Sequence, residues 1–240
     1  MKQFIKGLLP HLIIKAYETE CHKETHINRA LGRVGADTVY VEIGVRDGDC
    51  VHQIGAATKA AIDPAPVDPA HIRSDGTELF QMTSDEFFSR EASNWLSDRR
   101  IDVALVDGLH EFEQALRDVL NLEPLMARHG VIFVHDCNPP TRRHEQDMNG
   151  PWNGDVWKVL YYLGTYRPDL KFFTLDCDWG VGVITGFGES PPNQGSRETA
   201  AVKSLDYSVL ETDRENILKL KNPLYSKYYF SSIGGVRKVQ

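Results

Sequence analysis

No apolar run in this chain is long enough to cross a bilayer. In the N-terminal MKQFIKGLLPHLIIKAYE, Lys6, Pro10, His11 and Lys15 interrupt every apolar stretch. The pattern excludes a spanning helix and a signal h-region, and it reads as a short amphipathic cap. Cysteine is scarce: Cys21, Cys50, Cys137 and Cys177 lie far apart and form no CxxC pair. A disulfide scaffold is excluded, and a reduced, cytoplasmic protein is expected. Positive charge is in deficit, with 27 Lys and Arg against 34 Asp and Glu for a net charge of −7, which argues against broad nucleic-acid binding. Repeats and low-complexity tracts are missing as well. What is there is ordinary in composition, and 240 residues suffice for one α/β domain with extensions and a substantial core.

The chain is organised around Thr38 to Cys50, TVYVEIGVRDGDC. Val39, Val41 and Ile43 predict a buried strand, broken at Gly44 and Gly48 before a helical segment. Strand, glycine turn and helix start form the entry to a nucleotide-type crevice. A second short strand, Ala60 to Ile62, ends in Asp63, 19 positions after Gly44. That is close to the ~20 residues expected for a carboxylate on ribose hydroxyls, although Asp63 is also placed to start a turn with Pro64. Asp47 and Asp49 put negative charge where a diphosphate would sit, and Glu42 adds to it. The turn therefore suits a ligand with an amine or sulfonium, S-adenosylmethionine, ahead of NAD.

Further along, the pattern alternates strands and helices, which implies parallel pairing with helical crossovers. CHKETH places His22 and His26 four apart, amid Glu20, Lys23 and Glu24, and reads as a solvated face. A weak strand, Glu78 to Met82, precedes an expected N-cap at Ser84 and Asp85, one of them placed for adenine contact. The strand IDVALVD ends at Asp107. EFEQALRDVLNLEPLMARHG reads as an amphipathic helix closed by Gly130, and VIFVHD ends at Asp136. In a regular strand His135 would face away from Asp136. Residues 137 to 153 form a long irregular stretch, expected to close over an acceptor with Arg142, Arg143 and His144 available to it. KFFTLD and VGVITGF are separated by only four residues, so they must form an antiparallel hairpin. The aromatic C-terminus (Tyr225, Tyr228, Tyr229, Phe230, with Lys221, Lys227, Arg237 and Lys238) is expected to dock on the domain or on a second subunit. The resulting division is a helical cap over 1–35, a cofactor-binding catalytic domain over 36–188, and a helical, aromatic extension over 189–240.

Through VEIGVRDGDC, AIDP, MTSDEFF, IDVALVDGLHEFEQALRD, GVIFVHD and GDVWK, residues 36 to 187 resemble the class I S-adenosylmethionine-dependent methyltransferases. Within them they resemble methyltransferase family 24, which includes sugar and natural-product O-methyltransferases. The resemblance implies a Rossmann-like, seven-stranded, mostly parallel sheet ending in the antiparallel hairpin. It places Glu42, Gly44 and Gly48 at the methionine part of the cofactor, Asp63 at the ribose, Ser84 at the adenine side, and Asp107 in the crevice. His110, in a DGxH pattern, is the expected general base for a hydroxyl acceptor. Asp107 and Asp136 close adjacent strands and are placed to share a Mg2+. Relatives that bind the ion carry Asn or Asp directly after the second acid, whereas here Cys137 intervenes before Asn138. Without metal, Asp136 would orient the acceptor or act as base itself. The expectation is an O-methyltransferase of a sugar or hydroxylated metabolite, with a small-molecule or glycan acceptor. An NAD-linked oxidoreductase and a non-catalytic cofactor-binding protein are the alternatives.

Overall fold

The structure is a computed structural model that describes residues 20–188 and 199–233. The N-terminal eighteen residues, the linker from Glu189, and Arg237 and Lys238 lie outside the described residues. One sheet carries eight strands in the order β3-β2-β1-β4-β5-β7-β6-β8. They are β1 Val39–Ile43, β2 Thr58–Ile62, β3 Glu78–Phe80, β4 Ile101–Val106, β5 Met126–Val134, β6 Lys171–Leu175, β7 Val181–Thr185 and β8 Leu220–Lys221. Pairing is parallel from β3 through β5, and β7 runs antiparallel to both β5 and β6. The hairpin is as expected. The eighth strand is an addition: two residues beside β6, after the helix Tyr207–Leu218.

β1 and β4 are buried at every position because helices cover both faces of the sheet. Val41 and Ile43 face one apolar layer, together with Phe112, Leu116 and Val119 of the helix Phe112–Leu122 and Leu160 of the helix Trp157–Tyr166. Tyr40 and Ala61 face the other layer, with Ile27 and Leu31 of the helix Lys23–Gly32. Strand order reverses between β1 and β4, so a crevice opens at their carboxyl ends, where open α/β sheets bind ligands.

Several local expectations need correction. The helix from Phe112 ends at Leu122, not at Gly130, because Pro124 sits in a 3-10 turn and the chain is extended from Met126. Gly130 lies inside β5, where a Cβ would come within 2.8 Å of Ala127 O. His26 is not on a solvated face: it is fully buried, its Nδ1 2.8 Å from Ser226 Oγ. Burial lowers its pKa to about 4. The cause is the helix Tyr225–Ser232, which packs over the helix Lys23–Gly32 from far along the chain. That C-terminal helix docks on the domain as expected, with Tyr225 and Tyr229 edge-on to Phe173. The cap near Ser84 is Thr83, whose hydroxyl and Glu86 form a reciprocal capping box. Among the described residues no helix is long and apolar enough to cross a membrane.

Candidate active site

The crevice begins with a backbone contact. Gly44 has φ +85°, and a Cβ there would lie 2.1 Å from Asp107 O. Only glycine lets the ends of β1 and β4 meet this closely. Asp107 N donates to Ile43 O at 2.9 Å, and Gly44 N to Ile62 O at 2.8 Å, so three strand ends lock together. Gly48, at φ 93°, starts the short helix Asp49–His52. Asp63 serves the turn and the crevice together: it accepts from Arg46 N and Ala65 N, both at 2.8 Å, and lines the cavity beside Gly44.

That cavity, about 560 Å³, is largely apolar, with Ile43, Ile62 and Leu109 among its walls. Ser84, Gln114 and Asp118 line it too, and Gln114 Nε2 donates to both Ser84 Oγ and Asp118 Oδ1 at 3.1 Å. Burial pushes Asp118 up to about 6 despite these bonds. A second, polar cavity of about 420 Å³ shares Gly44, Arg46, Asp107 and His110 with the first, and adds Lys23, Glu42, Asp47, Asp49, His135, Asp136 and Asn153. An adenosine end in the first and an amino-acid end in the second would meet at Gly44 and Asp107. S-adenosylmethionine therefore fits: the apolar and the polar lining match its two halves.

Glu42 corrects one premise of the charge argument. It is fully buried and accepts from Tyr40 Oη at 2.7 Å. Burial raises its pKa to about 8, the Tyr40 hydrogen bond opposes the rise and nearby Asp107 adds to it. At neutral pH Glu42 is mostly protonated, so the negative charge at the turn comes from Asp47 and Asp49. Because the folded pKa lies above the unfolded one, this group's contribution is complete below about 4.5 and is lost as pH rises towards about 8. Glu42→Gln should therefore flatten the decline in stability between pH 6 and 8, a difference of roughly 2 kcal/mol by urea titration.

His110 is held from both sides. Its Nδ1 lies 2.8 Å from Trp152 O, its Nε2 lies 3.2 Å from Asp136 Oδ2, and the Trp152 indole stacks on it at 5.3 Å. Gly154, at φ +63°, passes so close that a Cβ would lie 1.6 Å from His110 O. Asp155 Oδ1 accepts from Phe112 N at 2.6 Å, fastening the start of the helix that follows His110.

β5 ends at Val134, and Asp136 adopts φ +59°. This left-handed turn overturns the expected geometry of His135, which faces the site with Asp136: its Nδ1 lies 3.0 Å from both Asp107 Oδ1 and Asp136 Oδ2. Lys23 Nζ is 3.5 Å from Asp107 Oδ2, and Asn153 Nδ2 donates to Asp136 Oδ1. Burial alone would raise Asp107, but His135 and Lys23 hold it below the usual carboxylate range.

The loop cations do not reach the two cavities. Arg142 pairs with Asp206, Arg143 with Asp147, and His144 bonds Thr141 Oγ1, so the loop contributes Pro151, Trp152 and Asn153 to the polar cavity instead. Sequence reasoning also missed Lys23, His135 and Asp178. The only available signal was the DGLH and HD clustering, which does not reveal the turn at Asp136. Asp107, His110 and Asp136 do bring three ligand atoms within 4.8 Å of one another. His135 Nδ1 sits 3.0 Å from both Asp107 Oδ1 and Asp136 Oδ2, where a bridging ion would have to lie, and the third ligand atom is a nitrogen, so in this arrangement they do not fit a hard, oxygen-seeking Mg2+.

The sheet order with its antiparallel β7, and the crevice closed by Gly44 against Asp107, are those of the Rossmann-like methyltransferase fold. Residues 41–137 match the family model described as a methyltransferase domain. Among solved structures it is similar to cofactor-bound Rv0187 from MTB, at a TM-score of 0.50 and 13% identity, covering 69% of this chain and 80% of that one. It is also similar to the SAH-bound methyltransferase PaMTH1 of Podospora anserina, at 0.46 and 16%, covering 62% and 71%. An rRNA methylase from Streptococcus thermophilus matches at 0.45 and 11%, covering 68% and 94%. At 13% identity the likeness to Rv0187 is one of fold. The search of curated proteins found no match.

Proposed function

We propose that this chain methylates a hydroxyl oxygen of a sugar or another hydroxylated small molecule in the cytoplasm, with His110 as general base. Residues 36–188 form the catalytic unit in this reading. The observation that carries it is the His110 geometry at the junction of the two cavities. With Nδ1–H donating to Trp152 O, Nε2 is the atom left to take a proton, and Asp136 Oδ2, 3.2 Å away, is positioned to accept from it once it is protonated. Bound S-adenosylmethionine supplies an electrophilic methyl group on a sulfonium. Asp63 is placed for the ribose hydroxyls, Ser84 for the adenine side, and Gly44, Gly48, Glu42 and Asp107 for the methionine end. Lys23 stands in the same cavity as a cation for that end's carboxylate. His110 Nε2 takes the acceptor's proton as oxygen bonds to the methyl carbon, and Asp136 holds the imidazolium that results. Alignment of oxygen, carbon and sulfur is the protein's main contribution.

Two measurements test this. S-adenosylhomocysteine at about 100 times its Kd should stabilise the protein by about 2.7 kcal/mol in thermal unfolding, while NAD should give no shift. Labelled methyl from the donor should appear on polyhydroxylated probes such as methyl glycosides or catechol. Transfer to amines alone would remove the O-methylation assignment.

A further inference from the structure

We propose that this centre is assembled without a divalent metal, because His135 and Lys23 take the place of an ion among three aspartates. The inference rests on reading Asp107, His110 and Asp136 as the methyl-transfer centre, and it assigns His135 and Lys23 as positioning residues there.

Each of the six carboxylate oxygens around His135 faces a nitrogen. Asp107 Oδ1 is 3.0 Å from His135 Nδ1, and its Oδ2 is 3.5 Å from Lys23 Nζ. Asp136 Oδ2 is 3.0 Å from the same Nδ1 and 3.2 Å from His110 Nε2, while its Oδ1 accepts from Asn153 Nδ2. Asp178 Oδ1 is 3.5 Å from His135 Nε2, and its Oδ2 accepts from the Lys23 backbone N–H at 3.0 Å. A nitrogen placed 3.0 Å from two carboxylate oxygens must be the protonated one, so Nδ1 is a shared donor to Asp107 and Asp136.

Such an array joins four segments of the chain at one point. Lys23 arrives on the N-terminal helix, Asp107 at the end of β4, His135 and Asp136 at the end of β5, and Asp178 in the β6–β7 turn. Joining such strand ends through shared carboxylates is work a metal can do. Mg2+ would demand near-octahedral oxygens at about 2.0–2.1 Å, and the position between Asp107 Oδ1 and Asp136 Oδ2 that a bridging ion would need is taken by His135 Nδ1, 3.0 Å from each. Charge points the same way. Three aspartates against Lys23 and one imidazolium leave the pocket short of positive charge, which suits a sulfonium; a dication added to these donors would reverse that.

The test uses Mn2+ as the probe, followed by paramagnetic resonance and calorimetry, on the full chain with and without S-adenosylhomocysteine. The wild type should take up no tightly bound Mn2+, and its affinity for S-adenosylhomocysteine should be the same in EDTA and in excess MgCl2. His135→Glu replaces the shared donor with a further carboxylate and should gain a Mn2+ site at least about tenfold tighter than any in the wild type. His135→Gln, which keeps an N–H donor, should stay indifferent to metal and serves if the Glu variant does not fold. Stoichiometric Mn2+ uptake by the wild type that Asp136→Asn abolishes would overturn the proposal. So would a folded His135→Glu protein that gains no site. The metal measurements are read on the unliganded protein too, so failure to bind S-adenosylhomocysteine would count against the methyl-transfer reading alone.

Discussion

Alanine at position 110 should lower kcat by about 100- to 10,000-fold, the range general-base catalysis supplies, while the affinity for S-adenosylhomocysteine changes little. The imidazole is one of the lining groups that the two cavities share, so its removal takes away the proposed proton acceptor and leaves the other walls of the cofactor cavity standing. The stacked Trp152 loses a partner, and the acceptor's KM should rise modestly as well. The measurement is methyl transfer to whichever hydroxylated probe proves active, with binding of S-adenosylhomocysteine followed in parallel by calorimetry. An unchanged kcat with intact binding would strip His110 of its role and leave Asp136 as the proton acceptor. A fall in kcat with binding lost would point to a structural failure of the loop at Trp152.

The second large effect is at Gly44. Gly44→Ala should abolish binding of S-adenosylhomocysteine and destabilise the fold by more than about 3 kcal/mol. A suitable control exists in Gly76, which has the same φ of +85° but nothing within 4 Å of its Cβ position. Gly76→Ala bears the left-handed backbone cost alone, about 1–2 kcal/mol. At position 44 the added carbon meets Asp107 O at 2.1 Å and both Asp107 C and Gly108 Cα at 2.5 Å, all backbone atoms that no rotamer change can move. The difference between the two variants in urea unfolding therefore isolates the contact between β1 and β4. Equal losses at both sites would show that the contact is dispensable.

Much of this was legible in the sequence because it is local. The β-branched run before Gly44, the acid closing β2, and the helix spacing of Phe112, Leu116 and Val119 follow from patterns within a dozen residues. The four-residue gap before Val181 dictated the hairpin on chain geometry alone. What the sequence did not show depends on contacts across the chain or on a single dihedral. His26 looks solvated until the helix from Tyr225, some 200 positions later, closes over it. Lys23 reads as a surface lysine because its partner, Asp107, comes 84 positions later. His135 was assigned to the wrong face because a regular alternation assumes the strand continues, and the strand stops at Val134. Arg142 was offered to an acceptor because its own partner, Asp206, lies well beyond the loop.

The reversal of β7 has a consequence for how this pocket can change over time. Because β6 runs with the parallel strands and β7 returns against them, the tight bend at Cys177–Gly180 emerges beside His135 and Asp136 rather than at the far end of the sheet. It is stitched to the segment after Asp136, with Cys137 N on Gly180 O at 2.9 Å and Asn138 N on Trp179 O at 2.8 Å. Lengthening or recolouring that bend would therefore reshape the wall an acceptor meets while the two apolar layers stay as they are. New substrate preferences should arise there first.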